Sequence, residues 1–220
     1  MNKQQSLSRN YDRAAWFYET SAHIFSTGQI AASKRDQLKD MQRGDKVLFL
    51  GVGAGEDAVM AARAGAHVTC IDISSKMLDK LQRRLNREDL SAELICMSAL
   101  EFDRTEFFDV CCANYFLNVF KREDMKKMLN HSASLLRQGG KFMIADVALP
   151  EGNLLSKAFN LAYLKGAMAS YYLMGMVPWH ENYDYAAFFE GAGLEFSRRA
   201  SFRFGRIGPV VFQNLVALKI

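Results

Sequence analysis

The sequence predicts a doubly wound α/β fold built on a mainly parallel sheet, and three observations carry that reading. An apolar run, Val47 to Leu50, ends in Gly51, Gly53 and Gly55. A second, Val68 to Ile71, ends at Asp72. Helix-like segments alternate with these and with the later strand-like runs. Such alternation demands right-handed crossovers and puts helices on both faces of the sheet. Ligands of such sheets bind beyond the carboxyl ends of the strands, where the strand order reverses.

Each element has a local reason. Tyr11, Ala15, Tyr18, Ala22 and Phe25 recur at helical spacing, Thr27-Gly28 interrupts them, and a second helix carries Ile30 to Met41. Arg43-Gly44-Asp45 is a turn. The uninterrupted apolar character of Val47 to Leu50 suits a strand covered on both faces. Glu56 to Ala64 reads as helix, stopped by Gly65. Val68 to Ile71 is the second strand, and Ser74 caps a helix running through Leu85. Glu93 to Met97 and Val110 to Ala113 are the third and fourth strands. A helix over Glu123 to Leu136, ended by Gly139-Gly140, leads into a fifth strand over Lys141 to Asp146.

The segment Leu154 to Val177 is apolar and rich in Met and Tyr, but Lys157, Asn160, Lys165 and Ser170 break it. That pattern argues against a membrane span and for a helical elaboration, either packed over the sheet or serving as a lid that also forms an apolar substrate pocket. Asn182 or Asp184 caps a short helix through Glu190, stopped by Gly191 or Gly193. Leu194 to Arg203 and Val210 to Leu218 read as a terminal antiparallel hairpin.

Composition sets the outer limits. The chain has 220 residues, 50% hydrophobic and 24% charged, enough for one substantial core. A net charge of +4 is too mild to argue for nucleic acid, and Arg198, Arg199, Arg203 and Arg206 read as a solvated sheet rim. Cys70, Cys96, Cys111 and Cys112 fall in apolar runs without metal-ligand spacing and read as core. The opening MNKQQSLSRNYDR has no apolar leader, so with reduced thiols a cytoplasmic location is expected.

The glycine loop has a specific chemistry. Residues without a Cβ let the backbone turn with positive φ and approach a ligand closely. The helix beginning near Glu56 offers unpaired N–H groups to that ligand. Asp72, about 20 residues beyond the first glycine, suits both hydroxyls of a ribose. The pattern is G-x-G-x-G, with Glu56 where the nicotinamide-dinucleotide fingerprint has its third glycine. A carboxylate there repels a pyrophosphate and tolerates a cofactor that carries a sulfonium and an ammonium.

With these residues in view the chain resembles the class I S-adenosyl-L-methionine (SAM)-dependent methyltransferases. VLFLGVGAG and VTCIDIS resemble their first two motifs, CMSALEF the adenine-edge motif, FDVCCANYFLNVF the motif beside the methyl donor, and LLRQGGKFMIAD the helix-turn-strand that follows. The resemblance implies a Rossmann-like, seven-stranded sheet with the C-terminal hairpin and a helical cap. It implies a single domain over 1–220: a helical cap at 1–44, a SAM-binding core at 45–150, a helical insertion or lid at 151–190 and the hairpin at 191–220.

Carried over residue by residue, Gly51, Gly53, Ala54 and Gly55 would cradle the amino-acid end of SAM, and Asp72 its ribose. Ile73 and Met77 would pack on adenine, with Ser98 and Ala99 at its edge. Asn114 would lie near the methionine moiety, Tyr115 and Phe116 beside the methyl, and Tyr11 and Tyr18 above the site. Phe49 replaces the family's usual acid two positions before the first glycine, with Glu56, Asp57 or Glu101 as compensating carboxylates. Ser98 stands where the adenine motif usually has Asp.

Methyl transfer needs an acceptor aligned behind the methyl and a dry site. A base helps where the acceptor must lose a proton, and His180, Glu181, Asp146 and Tyr18 are candidates, with His180 and Tyr18 foremost. His23, His67 and His131 read as structural, and no metal is expected. The expected acceptor is a small, apolar molecule of quinone, lipid or natural-product type, reached with at most transient contact with a membrane surface. S-adenosyl-L-homocysteine is the expected by-product. The alternative is a non-catalytic SAM-binding or regulatory protein.

Overall fold

The computed structural model describes residues 26–53, 55–173, 182–205 and 208–220. The strands are β1 (Lys46–Leu50), β2 (His67–Asp72), β3 (Glu93–Cys96), β4 (Phe108–Cys112), β5 (Leu136–Val147), β6 (Leu194–Arg203) and β7 (Val210–Lys219). They form one sheet in the order β3-β2-β1-β4-β5-β7-β6. β1 to β5 are mutually parallel, and β7 runs antiparallel to both β5 and β6. The expected α/β fold and hairpin are therefore present.

Alternate residues of β1 explain why it is apolar throughout. Leu48 and Leu50 join Cys111, Phe142 and Ile144 on one face, under Met125 and Leu129 of the helix Arg122–Ser134. Val47 and Phe49 join Cys70, Cys112 and Met143 on the other, under Ala58 and Val59 of the helix Glu56–Arg63 and Leu81 and Leu85 of the helix Ser75–Arg87. Phe49 is thus core, 2% exposed, and its ring stays out of the ligand crevice. Ser74 caps as expected, its Oγ accepting from the Met77 N–H at 3.3 Å.

Several boundaries differ from expectation. The helix before β5 ends at Ser134 rather than Leu136, and β5 starts at once, so Gly139-Gly140 lies inside the strand. Gly140 has a reason to be there: a Cβ on it would stand 2.9 Å from the Arg137 carbonyl oxygen and 3.1 Å from that of Phe108. The helix expected over Ile30 to Met41 is Gln29–Asp36, tightening to a 3₁₀ turn at Gln37–Asp40. The short helix Ala186–Phe189 and its 3₁₀ extension end at Gly193 (φ +67°), without a side-chain cap from Asn182 or Asp184.

Two composition readings are corrected. Cys96 is exposed, because β3 is the edge strand; the other three cysteines are buried. Arg198 is not part of a solvated rim, whereas Arg199 and Arg203 are exposed on the edge strand β6, as expected. Arg198 pairs with Asp36 at 2.8 Å and with Asp40, and Arg199 pairs with Glu151 at 3.1 Å. Arg203 donates to the Gly208 carbonyl at 3.2 Å, and Arg206 lies outside the described residues.

The helix Leu154–Leu173 follows β5 and packs through Asn160, Tyr163 and Leu164 against Phe204, Val211 and Phe212. Leu154 and Leu155 face outward, 82% and 81% exposed. Among the described residues no helix is long and apolar enough to cross a membrane.

Candidate functional site

The sheet order reverses between β1 and β4, and the loops that leave those strands meet there. Gly51, Gly53 and Gly55 hold φ of +65°, +51° and +71°, the left-handed region that side chains disfavour. Their surroundings differ. A Cβ on Gly51 would overlap Cδ2 of Phe116, and one on Gly55 would stand 2.6 Å from Cδ1 of Leu81. Among the described residues a Cβ on Gly53 would meet nothing within 4 Å, so this peptide is open on the side they form. Ala54 lies outside the described residues.

Asp72 ends β2 beside the loop. Its Oδ1 accepts the Ser74 N–H at 2.9 Å and its Oδ2 the Gly53 N–H at 3.4 Å. Burial raises its pKa, and the backbone N–H groups of Ser74, Gly53, Val52 and Ile73 pull it back. The carboxylate is therefore fixed in orientation while retaining lone pairs for a further donor. Ile73 and Ser98 are half-buried near this end of the sheet. Met77 and Ala99 are each 6% exposed and belong to the core clusters, so packing already claims their side chains.

Asn114, just beyond β4, is held by its neighbours. Its Oδ1 accepts from Gln37 Nε2 at 2.7 Å and from the Ala145 N–H at 2.9 Å. Its Nδ2 donates to Gln37 Oε1 at 2.8 Å and to Asp57 Oδ2 at 2.9 Å. With this full set of bonds the Asn114 side chain ties the first described helix, Asp57 and β5 together at the end of β4. Tyr115 follows with φ +51°, its hydroxyl 2.9 Å from Ser33 Oγ. A non-glycine residue in that conformation costs roughly 1–2 kcal/mol, and such strain gathers at functional sites.

The first described helix thus buries a polar stripe. Ser33 (0% exposed), Asp36 (8%) and Gln37 (0%) face inward because each has a fixed partner. Asp36 accepts from Arg198 and from Asn214 at 2.9 Å, and Gln37 also donates to Asn214 at 3.2 Å. Sequence reasoning did not single out these residues. The available signal was Gln213-Asn214 in the middle of the otherwise apolar β7.

Of the base candidates, Tyr18, His180 and Glu181 lie outside the described residues, as does Tyr11. Asp146 is described, and it is 1% exposed. It accepts from Tyr185 Oη at 2.6 Å, Asn118 Nδ2 at 2.8 Å and the Val147 N–H at 2.7 Å. Burial pushes its pKa up to about 6. His131 bonds the Phe102 carbonyl at 3.0 Å, the structural role expected of it.

The residues present fit an adenosyl amino acid. A carboxylate oriented for a ribose lies beside an open glycine peptide, and a buried oxygen at the same end of the sheet, Asp57 Oδ1, has no hydrogen-bond partner among the described residues.

Comparison with known proteins agrees with this geometry. The family described as "Methyltransferase domain" matches residues 47–140, from β1 into β5. A demethylmenaquinone methyltransferase of Clavibacter sepedonicus is 28% identical over 172 residues, 76% of this chain and 68% of that protein. A ubiquinone biosynthesis O-methyltransferase of Coxiella burnetii is 25% identical over 154 residues, 69% of this chain and 60% of that one. The chain therefore spans about two thirds of the length of these relatives. The SAM-bound magnesium protoporphyrin IX methyltransferase of Synechocystis superposes with a TM-score of 0.71 at 15% identity, covering 100% of this chain and 98% of that one, a likeness of fold.

Proposed function

We propose that the chain is a class I SAM-dependent methyltransferase and that it methylates a small, apolar acceptor of quinone, lipid or natural-product type, a reading supported by the methyltransferase-domain match and the methyltransferase relatives. The observation that carries the reading is the convergence of the open Gly53 peptide and the fixed Asp72 carboxylate at the β1/β4 reversal. When bound, SAM supplies a methyl group already activated for in-line displacement. The residues around it position and desolvate, which suffices for much of the acceleration.

In this proposal Asp72 accepts the ribose hydroxyls, and Ile73 and Ser98 border the adenine. Phe116, packed on Gly51, and Tyr115 wall the methyl side. Asn114 acts at one remove, holding Asp57 and the first described helix in register. Tyr11, Tyr18 and His180 remain proposed contacts from the flanking segments, with His180 and Tyr18 as the bases. An apolar acceptor is supported by the aromatic group Tyr115, Phe212, Tyr163 and Phe204, whose rings lie 5.5–6.4 Å apart in successive pairs. It is also supported by the names of the relatives, a menaquinone and a ubiquinone enzyme.

The experiment is methyl transfer from labelled SAM to a lipid extract in the presence of the protein. Label in an organic-soluble product supports the proposal. Tight binding of S-adenosylhomocysteine with no transfer to lipid-soluble or water-soluble extracts overturns it in favour of a non-catalytic binder.

A further inference from the structure

Asp57 is the second residue of the helix that leaves the glycine loop, and its side chain is 7% exposed. One oxygen is well used: Oδ2 accepts from Asn114 Nδ2 at 2.9 Å and lies 3.3 Å from Lys34 Nζ. The other is not. Oδ1 is buried and has no hydrogen-bond partner among the described residues. Among the described residues the only other buried side-chain N or O atom in that condition is Asn160 Oδ1, on the helix over β7. A charged oxygen out of water and unbonded is a costly arrangement, one that binding sites maintain for a ligand donor.

The other carboxylates near the loop do not share this setting. Glu56 and Glu101 are exposed, and each oxygen of Asp72 already accepts one backbone N–H, so neither is an unbonded buried atom. Phe49 is in the core. Asp57 and Lys34 together offer one negative and one positive group side by side, with the cation 16% exposed. An amino-acid zwitterion carries the complementary pair of charges.

We infer that Asp57 and Lys34 receive the zwitterionic end of the cofactor, with Asp57 Oδ1 accepting from its ammonium group and Lys34 facing its carboxylate. The inference rests on the methyltransferase reading and adds which charges of this chain replace the acid missing at position 49. The ammonium and Lys34 then divide the two oxygens of Asp57, while Asn114 keeps the carboxylate from turning.

Calorimetry with two nucleosides tests this on the full chain. S-adenosylhomocysteine has the amino-acid end, whereas 5′-methylthioadenosine keeps adenosine and sulfur without it. Asp57→Asn should weaken S-adenosylhomocysteine binding by about tenfold or more, as loss of a charge-assisted bond does, and leave methylthioadenosine within about twofold. Lys34→Gln should give the same pattern more weakly, and it carries the test if Asp57→Asn does not fold. Retained affinity for S-adenosylhomocysteine, or a parallel loss for both nucleosides, overturns the inference while leaving the methyltransferase reading standing. Failure of the unmutated protein to bind either nucleoside overturns both.

Discussion

Tyr185 donates its hydroxyl to Asp146 Oδ2 at 2.6 Å, and both side chains are 1% exposed. The pair ties the segment before the short helix Ala186–Phe189 to the end of β5. Burial raises the Asp146 pKa from 3.8 to about 6, so the folded protein holds this proton over a range where the unfolded chain releases it. Stability from this group therefore falls as pH rises from about 4 to about 6, by roughly 3 kcal/mol for a shift of about two units. The stability difference between the unmutated protein and Asp146→Asn should decline across that window and level off above it. Urea titrations of both proteins at pH 4, 5, 6 and 7 check this; a pH-independent difference contradicts it.

The fixed Asp72 carboxylate should be indispensable to nucleoside binding. Asp72→Ala is expected to weaken S-adenosylhomocysteine binding by tenfold or more, since a hydrogen bond to a charged group is worth about 1.5–3 kcal/mol. Unlike Asp57→Asn, it should weaken methylthioadenosine equally, because both compounds carry the ribose. Isothermal titration with the two ligands separates the outcomes.

The loop glycines should divide by what lies beside them. Gly55→Ala meets Leu81, which is fully buried, and should cost about 2–4 kcal/mol from left-handed strain plus overpacking. Gly53→Ala meets no described residue and should cost about 1 kcal/mol, yet impair S-adenosylhomocysteine binding because its methyl adds bulk where the ligand approaches. Denaturant midpoints and binding isotherms for the two variants should rank oppositely.

Arg198 should stabilise the fold through Asp36 and Asp40. Despite desolvation by burial, hydrogen bonds from Lys39, Asn214 and Arg198 hold the Asp36 carboxyl below its usual pKa. A depressed folded value gives stabilisation that is full above the unfolded value, about 4, and is lost as pH falls through the folded one. Arg198→Ala should therefore cost about 1–3 kcal/mol at pH 6, discounted for the one-third exposure of the guanidinium, and less at pH 3. Denaturation at those two pH values measures it.

The parts of the fold legible in the sequence are those where local pattern and tertiary burial agree. The apolar run of β1, the positive-φ glycines, the Ser74 cap and the limits of β6 follow from periodicity and turn chemistry alone. The inward polar stripe of Ser33, Asp36 and Gln37 does not. Each is buried because of a residue far away in the chain, Tyr115, Arg198 or Asn114, and no local window contains both members of such a pair. Gly139-Gly140 differs for a related reason: a glycine pair reads as a turn, yet close contact with the carbonyls of Arg137, Phe108 and Asp109 calls for glycine at position 140, inside β5. At the site, Asp72 and the loop were readable from motif spacing, whereas the unbonded oxygen of Asp57 emerges when Asn114 and Lys34 converge on its partner atom.

The insertion of β7 between β5 and β6 bears on how this chain is made. β5 is synthesised well before the strand that covers its flank, and its residues Lys141 to Val147 await Leu218 to Phe212. Throughout translation of the intervening helices and β6, a strand whose Phe142, Met143, Ile144 and Ala145 end fully buried presents an open edge to surrounding proteins or to another nascent chain. Ribosome-bound intermediates halted before Val210 should be the species that chaperones recognise.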